Sequence, residues 1–299
     1  MKSSTPKFLS LACVAALILP AACMAQGMGQ QQQGMGNQGM GQNSQMSQPP
    51  NQQNQQGQAQ QKPATPATPT VNPAEEAAWK KLASPSTDAN AVVKEAEDFL
   101  KKYNTPPAKS VYADRVYGLL AHAYMQEGED DKMFGALRAA LDVNPDNVEA
   151  LSLQAMARSR RIKSSDPHAA EVEQGVTELA QHGIEVLNAI QKPEGLSDAD
   201  FQRTKNEELA MCHSALGRVA QLQGKPSDAA TEFQTAVSLE TPPDAVDEYL
   251  LGMSLMDGKQ YAGAVTALQG CLKDPGPMKD LCTDQLAAAK KAAASAPKQ

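Results

Sequence analysis

The chain has 299 residues, with 34 acidic against 27 basic side chains and a formal net charge of −7. That acidic excess argues against nucleic acid or an anionic membrane as a main partner, because both are bound through concentrated positive charge. Aromatic residues make up only 4% of the sequence and β-branched residues never cluster, which favours helix over sheet.

The chain opens with Lys2 and Lys7, an apolar run from Phe8 to Leu19, then Pro20 and the small-residue stretch Ala21-Ala22-Cys23-Met24-Ala25. Positive, apolar and small, in that order, is the secretory pattern, and the run is too short to anchor in a bilayer. The expected signal peptide is 1–25, cut after Ala25, which makes the protein exported: periplasmic or secreted. A competing reading is a lipid anchor at Cys23, since Ala21-Ala22-Cys23 resembles the end of a lipobox. Pro20 disfavours it, standing where that motif takes an aliphatic residue. No later segment approaches the length of apolar run that a membrane span requires.

Gln26 to Pro73 is a Gln/Gly/Met-rich stretch that passes into Pro/Thr/Ala, with Lys62 as its single charge. So few apolar residues cannot offset the entropy of ordering, so 26–73 is expected to be a disordered tether. Removing Lys2, Lys7 and Lys62 leaves 24 basic against 34 acidic residues, a net −10 for the rest of the chain. Met28, Met35, Met40 and Met46 in the tether raise an alternative function, copper handling, because thioethers are soft ligands for Cu(I). Their spacing is irregular and no histidine or tether cysteine reinforces it.

From residue 74 the composition turns to Ala, Leu, Glu, Lys and Gln, and breakers divide it into helix pairs. The expected helices are 75–83, 88–103, 109–127, 130–143, 147–162, 167–191, 198–223, 226–240, 244–257, 260–273 and 277–294. Asp166-Pro167 reads as a cap followed by a first-turn proline, and Ser197 with Asp200 as a variant capping box. Gly128, Gly224 and Gly258 close the first helix of three pairs, where a left-handed residue is wanted.

Those three pairs share an internal code. Leu120-Ala121, Tyr124, Gly128, Leu137, Ala140-Leu141 and Pro145 form the first; Leu216-Gly217, Ala220, Gly224, Ala229, Phe233 and Ala236 the second. The third is Leu251-Gly252, Leu255, Gly258, Tyr261, Ala264, Leu268 and Cys271-Leu272. Small residues at Ala121, Gly217 and Gly252 let the first helix approach the second, while Leu137, Phe233 and Leu268 fill the seam. This code resembles the tetratricopeptide repeat, unevenly: Met133 replaces a small residue, Gly258 comes one residue early, and 147–191 lacks most of the code. The segment from Ala96 to Gly128 also resembles the opening of exported bacterial proteins of that family.

The resemblance implies an all-α, TPR-like solenoid of antiparallel helix pairs over 74–294, ending in a capping helix. It further implies a concave face lined by the first helix of each pair, binding peptide or protein. The outward positions would be Arg115, His122, Met125 and Gln126, then Glu149, Met156, Ser159 and Arg160. Met211, Ser214, Arg218 and Gln221 follow, then Tyr249, Met253 and Met256. The expected role is a non-enzymatic scaffold or adaptor in the bacterial cell envelope, with no cofactor.

No catalytic motif interrupts that reading: HExxH, GxSxG and a Walker loop are missing from the sequence, and no GxGxxG opens a strand–helix unit. His122, His168, His182 and His213 are scattered, and Cys212-His213 are adjacent on a helix, so they diverge by about 100° and serve no common site. Cys212 reads as a core residue and His213 as a packed or rim one. Cys271 and Cys282 bracket the turn Asp274–Pro277 and are candidates for a disulfide stapling the cap to the last repeat, the alternative being two unpaired buried thiols.

Overall fold

A computed structural model describes residues 72–296 of the protein. The expected export signal, the lipid reading at Cys23 and the methionines proposed for copper lie outside the described residues. Among those residues there are eleven α-helices and one short 3₁₀ turn, with no strand.

The first helix starts earlier than the sequence suggests. Helix α1 (Pro73–Leu82) takes Pro73 as its opening residue, and the Asn72 side chain accepts the Ala74 N–H at 3.0 Å. A proline costs nothing at that position, since its missing N–H would have no helical partner. The expected last residue of the tether, Pro73, is thus the first residue of this helix. Helix α2 (Ala89–Tyr103) is capped by Asp88, and α3 (Ala113–Gln126) begins later than expected. Before it, Asn104 accepts the N–H of Ser110 at 3.2 Å, and the Ser110 hydroxyl accepts that of Tyr112 at 3.1 Å. Side chains thus satisfy the backbone at 110–112 and the helix is delayed to Ala113.

Helix α4 spans Asp130–Val143 and α5 Val148–Ser159, the latter capped by Asn147. The expected extension of α5 to 162 fails because the Arg161 guanidinium donates to the Ala157 carbonyl at 2.9 Å, closing the helix. Helix α6 (Ala169–Ala189) starts two residues after the expected Pro167, with His168 and not Asp166 at its cap position. Asp166 instead accepts the His168 N–H at 2.9 Å, a side-chain turn that precedes the helix. Helix α7 (Asp198–Leu222) has the Ser197 cap, with the Ser197 hydroxyl accepting the Asp200 N–H at 3.0 Å. The capping box is not reciprocal as expected: the Asp200 carboxylate accepts from the Ser197 hydroxyl, not from its backbone. Helices α8 (Pro226–Leu239), α9 (Ala245–Asp257), α10 (Tyr261–Cys271) and α11 (Lys279–Ser295) complete the chain, with a 3₁₀ turn at Gly276–Met278.

Each helix packs on its sequence neighbour, and α5 also meets α7 directly. Among the first helices of the pairs, α3, α5, α7 and α9 (the A helices), α5 and α7 pack closely along their backbones, while α3 meets α5 and α7 meets α9 through side-chain bonds. Helices α4, α6, α8 and α10 are the second helices of the pairs (the B helices). The seams match the code. A Cβ added at Gly217 would lie 2.9 Å from the Phe233 ring, and one at Gly252 would lie 2.6 Å from Leu268 Cγ. Leu137, Phe233 and Leu268 are fully buried, as are Ala121, Ala140, Ala229, Ala236 and Ala264. Met133 is equally buried despite its size, as its flexible thioether allows. Trp79 stacks on Tyr112 with centroids 5.3 Å apart, which joins the α1–α2 pair to the stack.

Three A-to-B turns close in the same way. Gly128 and Gly224 have φ of 72° and 69°, and the next residue's N–H reaches back to an earlier carbonyl: Glu129 to Tyr124 at 2.9 Å, Lys225 to Ala220 at 3.0 Å. The third turn makes the same bond, Gln260 to Leu255 at 2.8 Å. There the left-handed residue is Lys259, at φ 58°, while Gly258 sits at φ −77°. The expectation for Gly258 is thus corrected: the hydrogen-bond pattern sets the left-handed position, and the glycine comes one residue too early to occupy it.

Candidate functional site

The A helices are tied to one another by buried and half-buried polar bonds. On α3, His122 Nε2 lies 2.8 Å from Glu149 Oε1 of α5. The Ser152 hydroxyl of α5 donates to the Glu208 carboxylate of α7, and the Ser214 hydroxyl of α7 donates to Asp247 Oδ1 of α9 at 2.6 Å. The same serine–carboxylate pairing occurs at the start of the fold, where the Ser110 hydroxyl donates to Glu75 Oε1 at 2.6 Å. At the foot of α3, Asp114 Oδ2 accepts from Asn144 and Asn147 at 2.9 and 3.1 Å. A hydroxyl facing a carboxylate satisfies both groups without burying an ion pair.

These ties set the electrostatics under the face. Burial pushes the Glu208 carboxyl up to about 7, with the Glu149 charge adding to it and the Ser152 bond opposing. Burial likewise raises Asp247 to about 6 and Glu240, in the α8–α9 turn, to about 7. His122 is pulled down by burial, but its bond to Glu149 and the charges of Glu149 and Glu208 leave it above its ordinary value. Its Nδ1 is buried and has no hydrogen-bond partner among the described residues.

Against this frame the expected outward residues divide. Met125, at 38% exposure, and Gln126 stand out from the end of α3, and Arg160 is exposed at the end of α5. Arg115, Met211, Arg218, Gln221 and Met253 are half-buried, and Arg218 Nη1 donates to Gln221 Oε1 at 2.6 Å. Met156 packs against the first core cluster, and Tyr249 and Met256 against the last. Two expected positions are corrected: Ser159 and Ser214 are buried, turned into the helix stack by hydrogen bonds to the Met156 carbonyl and to Asp247. The Glu75, Glu208 and Asp247 ties were missed. Two of them pair a serine on one A helix with an acid on the next, and the third pairs Ser110, before α3, with Glu75 of α1; only the register between helices reveals them.

Elsewhere, Cys212 is fully buried and burial raises its thiol to about 12, so it serves as a core residue. A Cβ on Gly183 would lie 2.9 Å from its sulfur. His213 Nδ1 meets Glu232 Oε2 at 2.7 Å. Cys271 and Cys282 are joined in a disulfide, their Cα atoms 6.2 Å apart, linking α10 to α11. Among the described residues no group of three or more His, Cys, Asp or Glu side chains is placed to hold a metal, and no helix is long and apolar enough to cross a membrane.

The family described as "Tetratricopeptide repeat" matches residues 114–147, the stretch covering α3, α4 and the turn into α5. No curated protein matches the chain. Among solved structures, a thermophilic TPR protein of Thermus thermophilus aligns over 74% of this chain and 99% of its own, at 14% identity and a TM-score of 0.45. The assembly chaperone of RpL4 (Acl4) aligns over 75% of this chain and 100% of its own, at 13% identity and a TM-score of 0.36. Scores this low add nothing to the assignment, which rests on the matched repeat and on the recurring Gly/Phe and Gly/Leu seams. The chain carries a tetratricopeptide repeat at residues 114–147, within a fold of TPR-like antiparallel helix pairs.

Proposed function

We propose that this chain is a non-enzymatic adaptor that binds a protein or peptide partner along its A-helix face. The observation that carries the proposal is the linkage of four successive A helices by buried serine–carboxylate bonds and the half-buried His122–Glu149 bond. Above them stand half-exposed methionines and arginines. A rigid base under adaptable side chains suits contact with an extended or helical segment. Arginine and tyrosine among the face residues add the types that dominate binding energy at interfaces. The order of basic, apolar and small residues across 1–25 supports export, and the work of such an adaptor would then lie in the bacterial cell envelope.

The test is affinity capture from envelope fractions with the full chain and with an Arg218→Glu, Met253→Asp double variant. The expected result is a partner recovered by the wild type and reduced at least tenfold by the variant, with both proteins melting alike. Equal recovery by a well-folded variant would remove the A-helix face as the binding surface.

A further inference from the structure

A second surface lies at the end of the α5–α6 pair. It is an open groove of about 440 Å³ formed by α4, the last turn of α5, the segment 160–168 and the start of α6, and it contains none of the A-face residues above. Its floor is apolar: Phe134, Ile162, Ala169 and Val172. Its walls carry Arg138, Arg158, Arg161 and Lys163 against Asp131 and Asp166. On a domain with ten more acids than bases, such a concentration of positive charge needs a reason.

The charged groups are not equivalent. Arg161 is committed to the fold, with Nε 3.0 Å from Asp130 Oδ2, a further bond to Asp130, and Nη1 2.9 Å from the Ala157 carbonyl. Asp166 is occupied by the His168 N–H. Arg138 and Arg158 have no ion pair among the described residues; Arg158 lies over the Phe134 ring, 5.9 Å from its centroid, as does Arg161 at 5.3 Å. Burial, and then the like charge of Arg138, push the Arg158 guanidinium below its usual range. Two facing guanidinium groups without a counter-ion, one resting on an aromatic ring, favour a planar anion that takes several N–H donors at once.

We propose that this groove docks an acidic segment of a partner protein, a carboxylate side chain bridging Arg138 and Arg158 while a neighbouring large apolar side chain packs on Ile162 and Val172. Charge complementarity selects the occupant. The chain's own residues 1–71 contain no Asp or Glu, so that arm cannot supply the carboxylate. A bare anion would leave the apolar floor wet, and Asp131 and Asp166 at the rim repel a dianion more than a single carboxylate. This site is independent of the A-helix face.

The probe is a fluorescein-labelled peptide of alternating glutamate and phenylalanine, measured by anisotropy against the full chain. Two control peptides replace its glutamates with lysine or its phenylalanines with glycine. The expected result is saturable binding of the first peptide alone, weakened at least tenfold by the Arg138→Gln, Arg158→Gln double variant. Lys290→Gln, on the capping helix, leaves it unchanged. If the double variant unfolds, Arg158→Lys alone keeps the charge but loses the planar fork and should weaken binding several-fold. Unchanged affinity in the folded variants overturns the proposal. So does displacement by inorganic phosphate at peptide-equivalent concentration, which would mark a bare anion site. A concentration-dependent dimer dissolved by the double variant overturns it too, since the groove would then serve a second copy of this chain.

Discussion

Phe233 is fully buried against Gly217, and the two positions define the seam between α7 and α8. Replacing the ring by a methyl leaves a cavity that the close-packed backbone of α7 cannot fill. Phe233→Ala should cost about 3–5 kcal/mol, read as a large fall in melting temperature; a shift within a degree would show that the ring lies outside the core. Glu208 makes the second residue-scale claim. Its carboxyl holds its proton to about pH 7 in the fold but to about 4.5 in the unfolded chain, so between these values the native state binds more protons. Stability therefore falls as pH rises from about 4.5 to 7, by on the order of 3 kcal/mol for this group. Asp247, Glu240 and the raised His122 act in the same direction. Glu208→Gln, neutral at every pH, should flatten that fall and be more stable than wild type at pH 8 by chemical denaturation. An unchanged pH slope would contradict the assignment. Burial at Phe233 was legible in the sequence because it follows from the repeat code. The protonated Glu208 was not, since its neighbour Ser152 lies 56 positions away and no periodicity links them.

At the scale of the element, the turns separate what a sequence can specify from what it cannot. Gly128 and Gly224 announce their left-handed turns because glycine alone enters that region without steric cost. In the third turn the glycine is present but idle, and Lys259 adopts φ 58° so that the Gln260 N–H can reach the Leu255 carbonyl. A side chain in that conformation costs about 1–2 kcal/mol, so Lys259→Gly should stabilise the protein by about 1 kcal/mol, measured by chemical denaturation. Destabilisation would mean that the lysine makes a contact outweighing its backbone cost. Helix ends show the same division. The start of α7 was legible from the local cap at Ser197, whereas the delayed start of α3 depends on Ser110 bonding to Glu75, 35 residues earlier, a tie that composition does not signal.

For the whole molecule, the repeat determines which surfaces exist. Each pair buries its apolar stripe only against its neighbours, and the A helices form a row, α5 packing on α7 while side-chain bonds link α3 to α5 and α7 to α9. The row was legible as spacing along each helix. Which of its members turn inward was not: Ser159 and Ser214 share that spacing with Arg160 and Arg218 yet are buried, because hydrogen bonds to Met156 and Asp247 hold them in. The groove between α4 and α6 was invisible for a related reason, since Arg138 and Arg158 belong to different pairs and meet only when the pairs stack. The central claim is that the A-helix row is where a protein partner binds, and site-specific photo-crosslinking tests it most directly. Benzoylphenylalanine at Gln126, Gln221 or Met253 should join the chain to one and the same partner in the producing cell, while the probe at Gln234 or Gln269, exposed on B helices, should not. Crosslinks from Gln234 and Gln269, with none from the A-helix positions, would contradict the account.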